Sequence, residues 1–348
     1  MAKIKIKIKN LYKIFGNNPK AAMEHVRGGA SKQSLLDERG HVLGLRDINL
    51  DIPEKKIQVV MGLSGSGKST LIRHINRLIE PTDGQVVVDG EDVLAMSQDD
   101  LREFRRHKSS MVFQKFALLP HRTVAQNAAY GLTIQGIAEG EAAERAQRWI
   151  DRVGLGGFEN HFPAQLSGGM QQRVGLARAL ATDAEILLMD EAFSALDPLI
   201  RTDMQDILLD LQEELHKTIV FITHDLDEAL RIGDQIAILR DGESIQQGDP
   251  QDIILRPADD YISDFIKDIN RGRVIEVRSV MKSAARASGP KVPMDMALED
   301  ALQTLVSSSK GSGAVVDRSG KTIGKIELNS AIAAIARPDR AGVIPRYK

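Results

Sequence analysis

Cysteine is the first of several features that this sequence lacks. Without cysteine, the chain can form no disulfide bond, thiolate zinc site or cysteine nucleophile. No stretch approaches the roughly 18 apolar residues that a membrane helix needs, and the longest apolar runs, 185–189 and 218–222, have the length of strands. A formal net charge of −2 gives no basic footprint, so we expect no nucleic-acid partner.

The N-terminus alternates lysine and isoleucine. Residues 3–9 have a period of two, which predicts an edge strand with one wet face, whereas a signal peptide requires a continuous apolar segment. We therefore expect a chain that does not enter the bilayer by itself and that would serve a membrane only by docking on membrane partners.

The apolar pattern predicts an α/β fold. Residues 3–15 and 45–52 predict strands of an antiparallel layer, separated by a polar, helical insertion at 16–44. Continuous apolar runs predict strands covered on both faces, as in a parallel sheet, at 58–61, 185–190 and 218–223. The other predicted elements are a helix at 68–79, a strand at 85–90 and a mainly helical region at 97–180.

The composition of the chain shifts near Arg271-Gly-Arg273, and a compact β-α-β-β-α pattern follows. We therefore predict a large domain at 1–270, a linker at 271–278 and a small α+β module at 279–348.

The segment Gly62-Leu-Ser-Gly-Ser-Gly-Lys-Ser69 matches the phosphate-loop pattern, and it lies between a predicted strand and a predicted helix. Glycines let backbone N–H groups curl around an anion, and the helix N-terminus adds partial positive charge. Lys68 can reach the β- and γ-phosphates, while Ser69 can bind Mg²⁺. A flexible Gly/Ser turn is the alternative, and the flanking elements make it much the weaker reading.

A pair of carboxylates ends the predicted strand at 185–190. Asp190 can hold Mg²⁺ through water, and Glu191 stands where a base could polarise an attacking water. A solvated acidic turn is the plain alternative, so this pair gains its meaning from the phosphate loop that precedes it.

The segment Leu166-Ser-Gly-Gly-Met-Gln171 resembles the signature motif of ABC ATPases, and it stands shortly before the strand that ends at Asp190, as that family requires. Other elements fall in the family's order. They are Phe15, similar to the adenine-stacking aromatic, Gln114, similar to the Q-loop glutamine, Asp197 in a D-loop-like Ser194-Ala-Leu-Asp197, and His224, similar to the switch histidine.

The resemblance implies the phosphate-loop NTPase fold of ABC ATPases, with a mixed sheet, an antiparallel β subdomain and a helical subdomain at about 97–180. It also implies a head-to-tail homodimer that holds two ATP molecules between its subunits. The chain's own ATP site would contain Phe15, Gly62, Leu63, Ser64, Gly65, Ser66, Gly67, Lys68, Ser69 and Thr70. The second subunit would supply Ser167, Gly168, Gly169 and Asp197 in trans. Catalysis would use Glu191, His224 and Gln114, and Mg²⁺ would be held by Ser69, Gln114 and Asp190.

The insertion at 16–44 and a C-terminal segment similar to a single CBS repeat resemble the quaternary-amine importers, which take up glycine betaine, proline betaine, choline or proline. ATPases of polyamine or methionine importers are the alternatives, and a soluble ABC regulator that does not transport is a third. The importer reading implies integral-membrane permease subunits and a periplasmic or lipid-anchored substrate-binding protein as partners. It places the chain at the cytoplasmic face of the cell (inner) membrane.

Three apolar residues follow the predicted sensing glutamine, namely Phe116, Leu118 and Leu119. They are predicted to form the surface that docks on the permease. Filling the core of the helical subdomain is an equally open alternative for them.

Overall fold

The computed structural model describes residues 3–114, 116–194 and 196–336 of the chain. These residues belong to two compact units that divide after Gln247. In the part of the chain that is described, no helix combines the length and the apolarity that crossing a bilayer requires.

An antiparallel sheet of four strands forms one layer of the first unit. The N-terminal strand lies inside this sheet, between Val42–Pro53 and Asp83–Val88, so the lysine–isoleucine alternation belongs to an inner strand and not to an edge. The isoleucines Ile6 and Ile8 point into the core and are fully buried, which the period of two explains. In sheet order the strands are Val42–Pro53, Ile4–Phe15, Asp83–Val88 and Glu91–Asp92.

A six-stranded sheet forms the centre of the first unit. In sheet order its strands are Glu243–Gly248, Gln235–Arg240, Ile57–Met61, Thr218–Thr223, Ile186–Asp190 and Ser109–Val112. Three of the inner strands have every residue buried, which confirms the prediction of strands covered on both faces. Pairing is parallel from Gln235–Arg240 through Ser109–Val112, so these strands end at one edge of the sheet.

Helices cover this sheet and form most of the region between 97 and 181. The α-helices of the first unit are Met23–Arg27, Lys32–Arg39, Lys68–Ile75, Gln98–Glu103, Val124–Ala128, Tyr130–Ile134, Glu139–Arg152, Gly168–Ala181, Pro198–Leu215 and Leu226–Ile232. Short 3-10 turns lie at Pro19–Ala22, Val93–Ala95 and Pro163–Gln165, and a π-helical turn at Phe104–Lys108. The predicted helical region also contains the strand Ser109–Val112, whose two serines hide it from an apolar-run search.

The second unit contains a small mixed sheet with helices. In sheet order its strands are Lys282–Ser283, Thr322–Glu327, Ser312–Val316 and Lys291–Pro293. Its helices are Pro250–Leu255, Asp260–Phe265, Arg271–Val274, Val277–Val280, Leu298–Val306 and Leu328–Ile335. The last four elements of the predicted β-α-β-β-α pattern are present over 298–335, but the first strand, predicted at 278–281, was wrong, because Val277–Val280 is a helix and the strand before Leu298–Val306 is Lys291–Pro293. Residues 337–348 of the predicted module lie outside the described residues.

The division between the units precedes the predicted boundary at 271–278. The buried side chain of Gln251 explains the difference, since its amide donates to the Val274 carbonyl at 2.9 Å and its oxygen accepts from Glu276 N–H at 3.0 Å. Ile275 and Val277 are also fully buried. The stretch predicted as a linker is therefore folded within the second unit.

Candidate functional site

The phosphate loop leaves the strand Ile57–Met61 and enters the helix Lys68–Ile75, as predicted. Its glycines are needed for two separate reasons. Gly62 and Gly67 have φ angles of +149° and +102°, which side chains rarely adopt. A Cβ atom on Gly62 would also lie 2.1 Å from the Leu239 carbonyl oxygen, and one on Gly67 would lie 2.6 Å from that of Gly44. The loop is therefore a tight backbone cradle that only glycine permits.

Lys68 lies at the centre of this cradle and is 5% exposed. Its ammonium donates to the carbonyls of Gly62 at 2.8 Å and Leu63 at 3.0 Å. Burial lowers the pKa of Lys68, and the nearby carboxylates of Glu191 and Asp190 act in the opposite direction. The charge is thus held in place beside the loop, where a bound phosphate would meet it.

Asp190 is fully buried at the end of its strand, and both of its oxygens are engaged. Ser69 Oγ donates to Oδ1 at 2.7 Å, and Arg73 donates to Oδ2 at 3.0 Å. Ser69 and Asp190 therefore present adjacent oxygen atoms that could coordinate a cation, and oxygen is the ligand atom that Mg²⁺ prefers. Within 3–114, 116–194 and 196–336, no cluster of three or more His, Cys, Asp or Glu could hold a metal. A magnesium ion here would therefore depend on phosphate oxygens and water.

The three predicted catalytic side chains meet at the same edge of the sheet. Gln114 Nε2 donates to Glu191 Oε2 at 2.8 Å, and His224 Nδ1 lies 3.8 Å from Glu191 Oε1. Glu191 itself has a φ of +48°, an uncommon conformation for a residue with a side chain. Its N–H donates to the Ile222 carbonyl at 3.1 Å, which ties the turn to the neighbouring strand.

The topology explains this meeting. Neighbouring parallel strands end at Met61, Thr223, Asp190 and Val112, and the predicted residues follow each of them directly or within two positions. Because the carboxyl ends of parallel strands share one edge, residues far apart in sequence become neighbours, as is general for ligand sites in α/β sheets.

The predicted signature residues lie apart from this cradle. Ser167 caps the helix Gly168–Ala181 and accepts from Met170 N–H at 3.3 Å. Both Ser167 and Gly168 are exposed. Asp197 is exposed as well and caps the helix Pro198–Leu215 by accepting from Ile200 N–H at 3.1 Å. A Cβ on Gly169 would lie 3.1 Å from Leu196, which places the signature beside the D-loop-like turn.

The remaining predicted ATP contacts have open surfaces. Phe15 is 39% exposed, and Lys13 Nζ lies 4.9 Å from its ring centroid. Leu63, Ser64 and Gly65 are exposed at the tip of the loop. Thr70 is half-buried, and its carbonyl bonds with His74 Nδ1 at 2.6 Å. Phe15 is therefore available for stacking on a base, and its stacking on adenine stays a prediction.

Sequence reasoning missed the arginines that connect these motifs. Arg201 donates to the Leu196 carbonyl and to Asp225 Oδ2, both at 3.3 Å, so it bridges the D-loop-like turn and the residue after His224. Arg178, on the signature helix, donates to the carbonyls of Phe116 at 3.0 Å and Ala117 at 2.7 Å. Backbone carbonyls as partners leave no trace in a sequence. A signal was available only for Arg178, which is the one charged residue of the apolar stretch 174–181, whereas the helix of Arg201 carries several acidic residues.

Three comparisons with known proteins agree with this geometry. A family model described as ABC transporter matches residues 45–194. The glycine betaine/proline betaine transport system ATP-binding protein ProV of Salmonella typhimurium is 48% identical over 334 residues, which cover 96% of this chain and 83% of that protein. The glycine betaine/carnitine transport ATP-binding protein GbuA of Listeria monocytogenes is 53% identical over 277 residues, which cover 80% of this chain and 70% of that protein.

Among solved structures, the dimeric bacterial ABC transporter cassette MJ0796 matches with a TM-score of 0.62 and 34% sequence identity. That match covers 70% of this chain and 98% of the other.

Proposed function

Since this chain belongs to the family of ABC transporter ATP-binding subunits, we propose that it hydrolyses ATP to drive the import of a quaternary amine. The observation that carries hydrolysis is the meeting of Gln114, Glu191 and His224 at the sheet edge that also bears Lys68. Betaines as the substrate class are supported by the names of the relatives, since ProV is a glycine betaine/proline betaine transport protein and GbuA a glycine betaine/carnitine transport protein. Choline and proline are proposed as further members of the same class.

The residues of one chain divide the chemistry among themselves. The backbone of the phosphate loop and Lys68 bind and orient the triphosphate. Glu191 accepts a proton from the attacking water, and the amide of Gln114 holds the carboxylate in place. Ser69, Asp190 and Gln114 would hold Mg²⁺, which when bound neutralises phosphate charge. His224 is placed to donate to the γ-phosphate as bond cleavage develops.

Half of the ATP site must come from a second copy of the chain in this proposal. Two exposed helix N-termini contain the residues expected from the second copy: Ser167, Gly168 and Gly169 lie at one, and Asp197 at the other. Helix N-termini bind anions, and neither of these two is part of the phosphate loop of its own chain. In a two-fold dimer these residues would close over the ATP held by the partner's phosphate loop. Loss of the γ-phosphate would then release the two subunits from one another.

Docking on a permease is supported by the segment after Gln114. Phe116, Leu118 and Leu119 are all half-buried, so each keeps some apolar surface that a partner could cover. Two side chains hold the backbone of this segment. Arg178 donates to the Ala117 carbonyl at 2.7 Å, and the amide of the fully buried Asn127 donates to the Leu119 carbonyl at 3.1 Å. The chain would then act at the cytoplasmic face of the membrane, together with a substrate-binding protein.

Residues 279–348, within the second unit, are proposed to be a CBS-like module that joins two copies of the chain. Val306 is 68% exposed and Ile332 is 49% exposed, one on each of its two helices in this module. Such apolar surface favours a tether between subunits over a salt-released brake. Charged replacements at both positions should abolish the nucleotide-free dimer in light scattering and leave the salt dependence of transport unchanged.

Hydrolysis by a chain that lacks half of its site must depend on dimerisation. We expect the specific Mg²⁺-dependent ATPase activity to rise with protein concentration, because each complete site needs two chains. The measurement is specific activity across a concentration series, with light scattering on the same samples. A flat profile from a proven monomer contradicts the proposal. The non-transport regulator reading predicts no hydrolysis at all, which intact Lys68, Asp190, Glu191 and His224 disfavour.

A further inference from the structure

The insertion between the first two strands is a packed structure with its own small core. Ala22, Met23, Val26 and Leu35 bury their side chains against Ile14 and Leu43 of those strands. Ser31 caps the helix Lys32–Arg39 by accepting from Ser34 N–H at 3.0 Å. Because Leu35 is 2% exposed, the first turn of this helix is fixed in position, and with it the stem of Lys32.

This insertion contacts the phosphate loop directly. Lys32 is half-buried, and its ammonium donates to the Gly65 carbonyl at the tip of the loop at 3.0 Å. In a trans peptide the C=O and the following N–H point in opposite directions. The bond to Lys32 therefore keeps the Gly65 carbonyl turned toward the insertion and the Ser66 N–H turned back across the loop, where it donates to the Leu63 carbonyl at 3.2 Å. Lys32 thus fixes the orientation of the peptide at the tip of a loop whose backbone N–H groups curl around an anion.

A second connection runs through Arg46. Its guanidinium donates to the Ala30 carbonyl of the insertion and to Glu243 Oε1 at 3.0 Å. Gly242, the residue before Glu243, continues the connection. Its N–H donates to the Ser66 carbonyl of the phosphate loop at 3.1 Å, and its carbonyl accepts from the backbone N–H of Arg46 at 2.8 Å. The insertion and the phosphate loop are thus linked at two points on neighbouring residues.

We propose that the insertion at 16–44 is a wall of the nucleotide site and that Lys32 sets the affinity for the nucleotide's phosphates. Lys32 orients the peptide at the loop tip, and its positive charge stands at the loop's exposed rim, where polyphosphate binds. Neither effect touches the attacking water, so Lys32 is a positioning residue that acts on binding and not on the chemical step. The inference rests on the proposed function, because it deepens the role of the same ATP site.

The test compares Lys32→Ala, Lys32→Gln and Lys32→Arg with Lys20→Ala in the full-length protein. Lys20 is an exposed lysine of the same insertion, so its replacement removes the same charge away from the loop tip. We expect Lys32→Ala and Lys32→Gln to raise KM for ATP and Kd for ADP about 3- to 10-fold, the range for a partly exposed hydrogen bond with a charged donor. The kcat should stay within about twofold, because the catalytic groups are untouched.

Two further measurements separate charge from geometry. Lys32→Arg should restore most of the affinity, and the difference between Lys32→Ala and the parent should shrink at high salt, since exposed charges are screened. Unchanged Kd values for ADP in Lys32→Ala would overturn the inference. So would an affinity loss of the same size in Lys20→Ala, or a loss of kcat that follows a lowered thermal midpoint. ADP calorimetry does not require hydrolysis, so a parent protein without ATPase activity would refute the proposed function and still decide the role of Lys32.

Discussion

Two serine- and glycine-rich helix starts in this chain differ in how much of an anion site each provides. The phosphate loop, which opens the helix Lys68–Ile75, has three glycines at positive φ and a buried lysine at its centre. The signature segment, which opens the helix Gly168–Ala181, has an ordinary serine cap and glycines outside the positive-φ region. The first is a cradle closed by its own chain. The second is an open helix end with small residues.

This difference is the reason for proposing that a complete ATP site needs two chains. Gly44, Leu239 and Gly242 pack against the base of the phosphate loop, and Lys32 bonds to its exposed tip. Little packs against the exposed first residue of the signature helix, since a Cβ on Gly168 would meet only Phe116 at 4.0 Å among the described residues, although the next residue, Gly169, lies against Leu196. The small residues at the start of this helix leave its N-terminal N–H groups accessible, so that an anion can reach them from outside the chain. The comparison therefore predicts different outcomes for changes at the two sites.

The largest expected effect separates chemistry from binding at the closed cradle. Glu191→Gln should slow hydrolysis by about 10²–10⁴-fold, as for loss of a general base, while ATP binding persists. An ATP-bound dimer should then accumulate. Single-turnover rates and size-exclusion chromatography with ATP measure the two effects. Hydrolysis at the parental rate would show that Glu191 is not the base.

A pair of glycine substitutions tests the comparison itself. Gly67→Ala should abolish nucleotide binding, because a Cβ there lies 2.6 Å from the Gly44 carbonyl and the φ is +102°. Gly168→Asp should leave nucleotide affinity of the isolated chain unchanged and lower hydrolysis by roughly 10²-fold, since like charges across an interface cost several kcal/mol. Nucleotide calorimetry and ATPase rates are compared for both variants.

Mixing Gly168→Asp with a phosphate-loop variant provides the control for the substitution in the signature. A dimer of Gly168→Asp with Lys68→Ala contains one site built from an intact phosphate loop and an intact signature. At an ATP concentration too low to saturate Lys68→Ala, activity should therefore rise on mixing above that of either variant alone, to no more than half of the parental value. If Gly168→Asp weakens nucleotide binding as strongly as Gly67→Ala does, the two sites are not distinct in the way the comparison states.

Lys68→Ala should have a smaller effect, confined to the cradle. We expect nucleotide binding to weaken by about 1.5–3 kcal/mol, the scale of hydrogen bonds to a charged group. Isothermal titration with ADP measures it. Arg73→Ala serves as a comparison, because Arg73 bonds to Asp190 and not to the loop carbonyls. Equal losses in the two variants would argue against a direct role of Lys68 at the phosphates.

The smallest expected effect concerns the fold beneath the cradle. His74 is fully buried on the phosphate-loop helix, and burial lowers its pKa to about 4, with Lys13 acting in the same direction and Glu80 against it. Because the unfolded chain takes up the proton first, stability is fully present above about pH 6.5 and declines as pH falls from there toward 4. The loss is on the order of 1 kcal/mol at pH 5.5.

His74→Gln should remove this part of the pH dependence. Urea unfolding at pH 7.5 and pH 5.5, followed by the fluorescence of the single tryptophan Trp149, measures the difference. His121→Gln is the matched control, because His121 is exposed. Equal pH slopes for the parent and His74→Gln would show that His74 stays protonated, or readily accepts a proton, in the folded chain.

More of the phosphate-loop cradle could be predicted from the sequence than of the elements around it. The phosphate loop, Asp190 and Glu191 were recognisable because glycine spacing and adjacent carboxylates are local patterns, and the structure brings them together with Gln114 and His224. The edge assigned to the N-terminal strand was wrong, because sheet order depends on Asp83–Val88, which pairs from far along the chain. Arg178 and Arg201 were missed because their partners are carbonyl oxygens or distant carboxylates.

The sequence by itself determined the chemistry of the site, since residue type and close spacing decide which groups can bind phosphate, hold a cation or accept a proton. Tertiary structure alone decided which of these groups are neighbours. The parallel order of the strands ending at Met61, Thr223, Asp190 and Val112 brings the side chains predicted to be catalytic to one edge. Tertiary structure also decided that the insertion reaches the phosphate loop. The contact between Lys32 and Gly65 depends on the packing of Leu35 and on nothing in the local sequence of either residue.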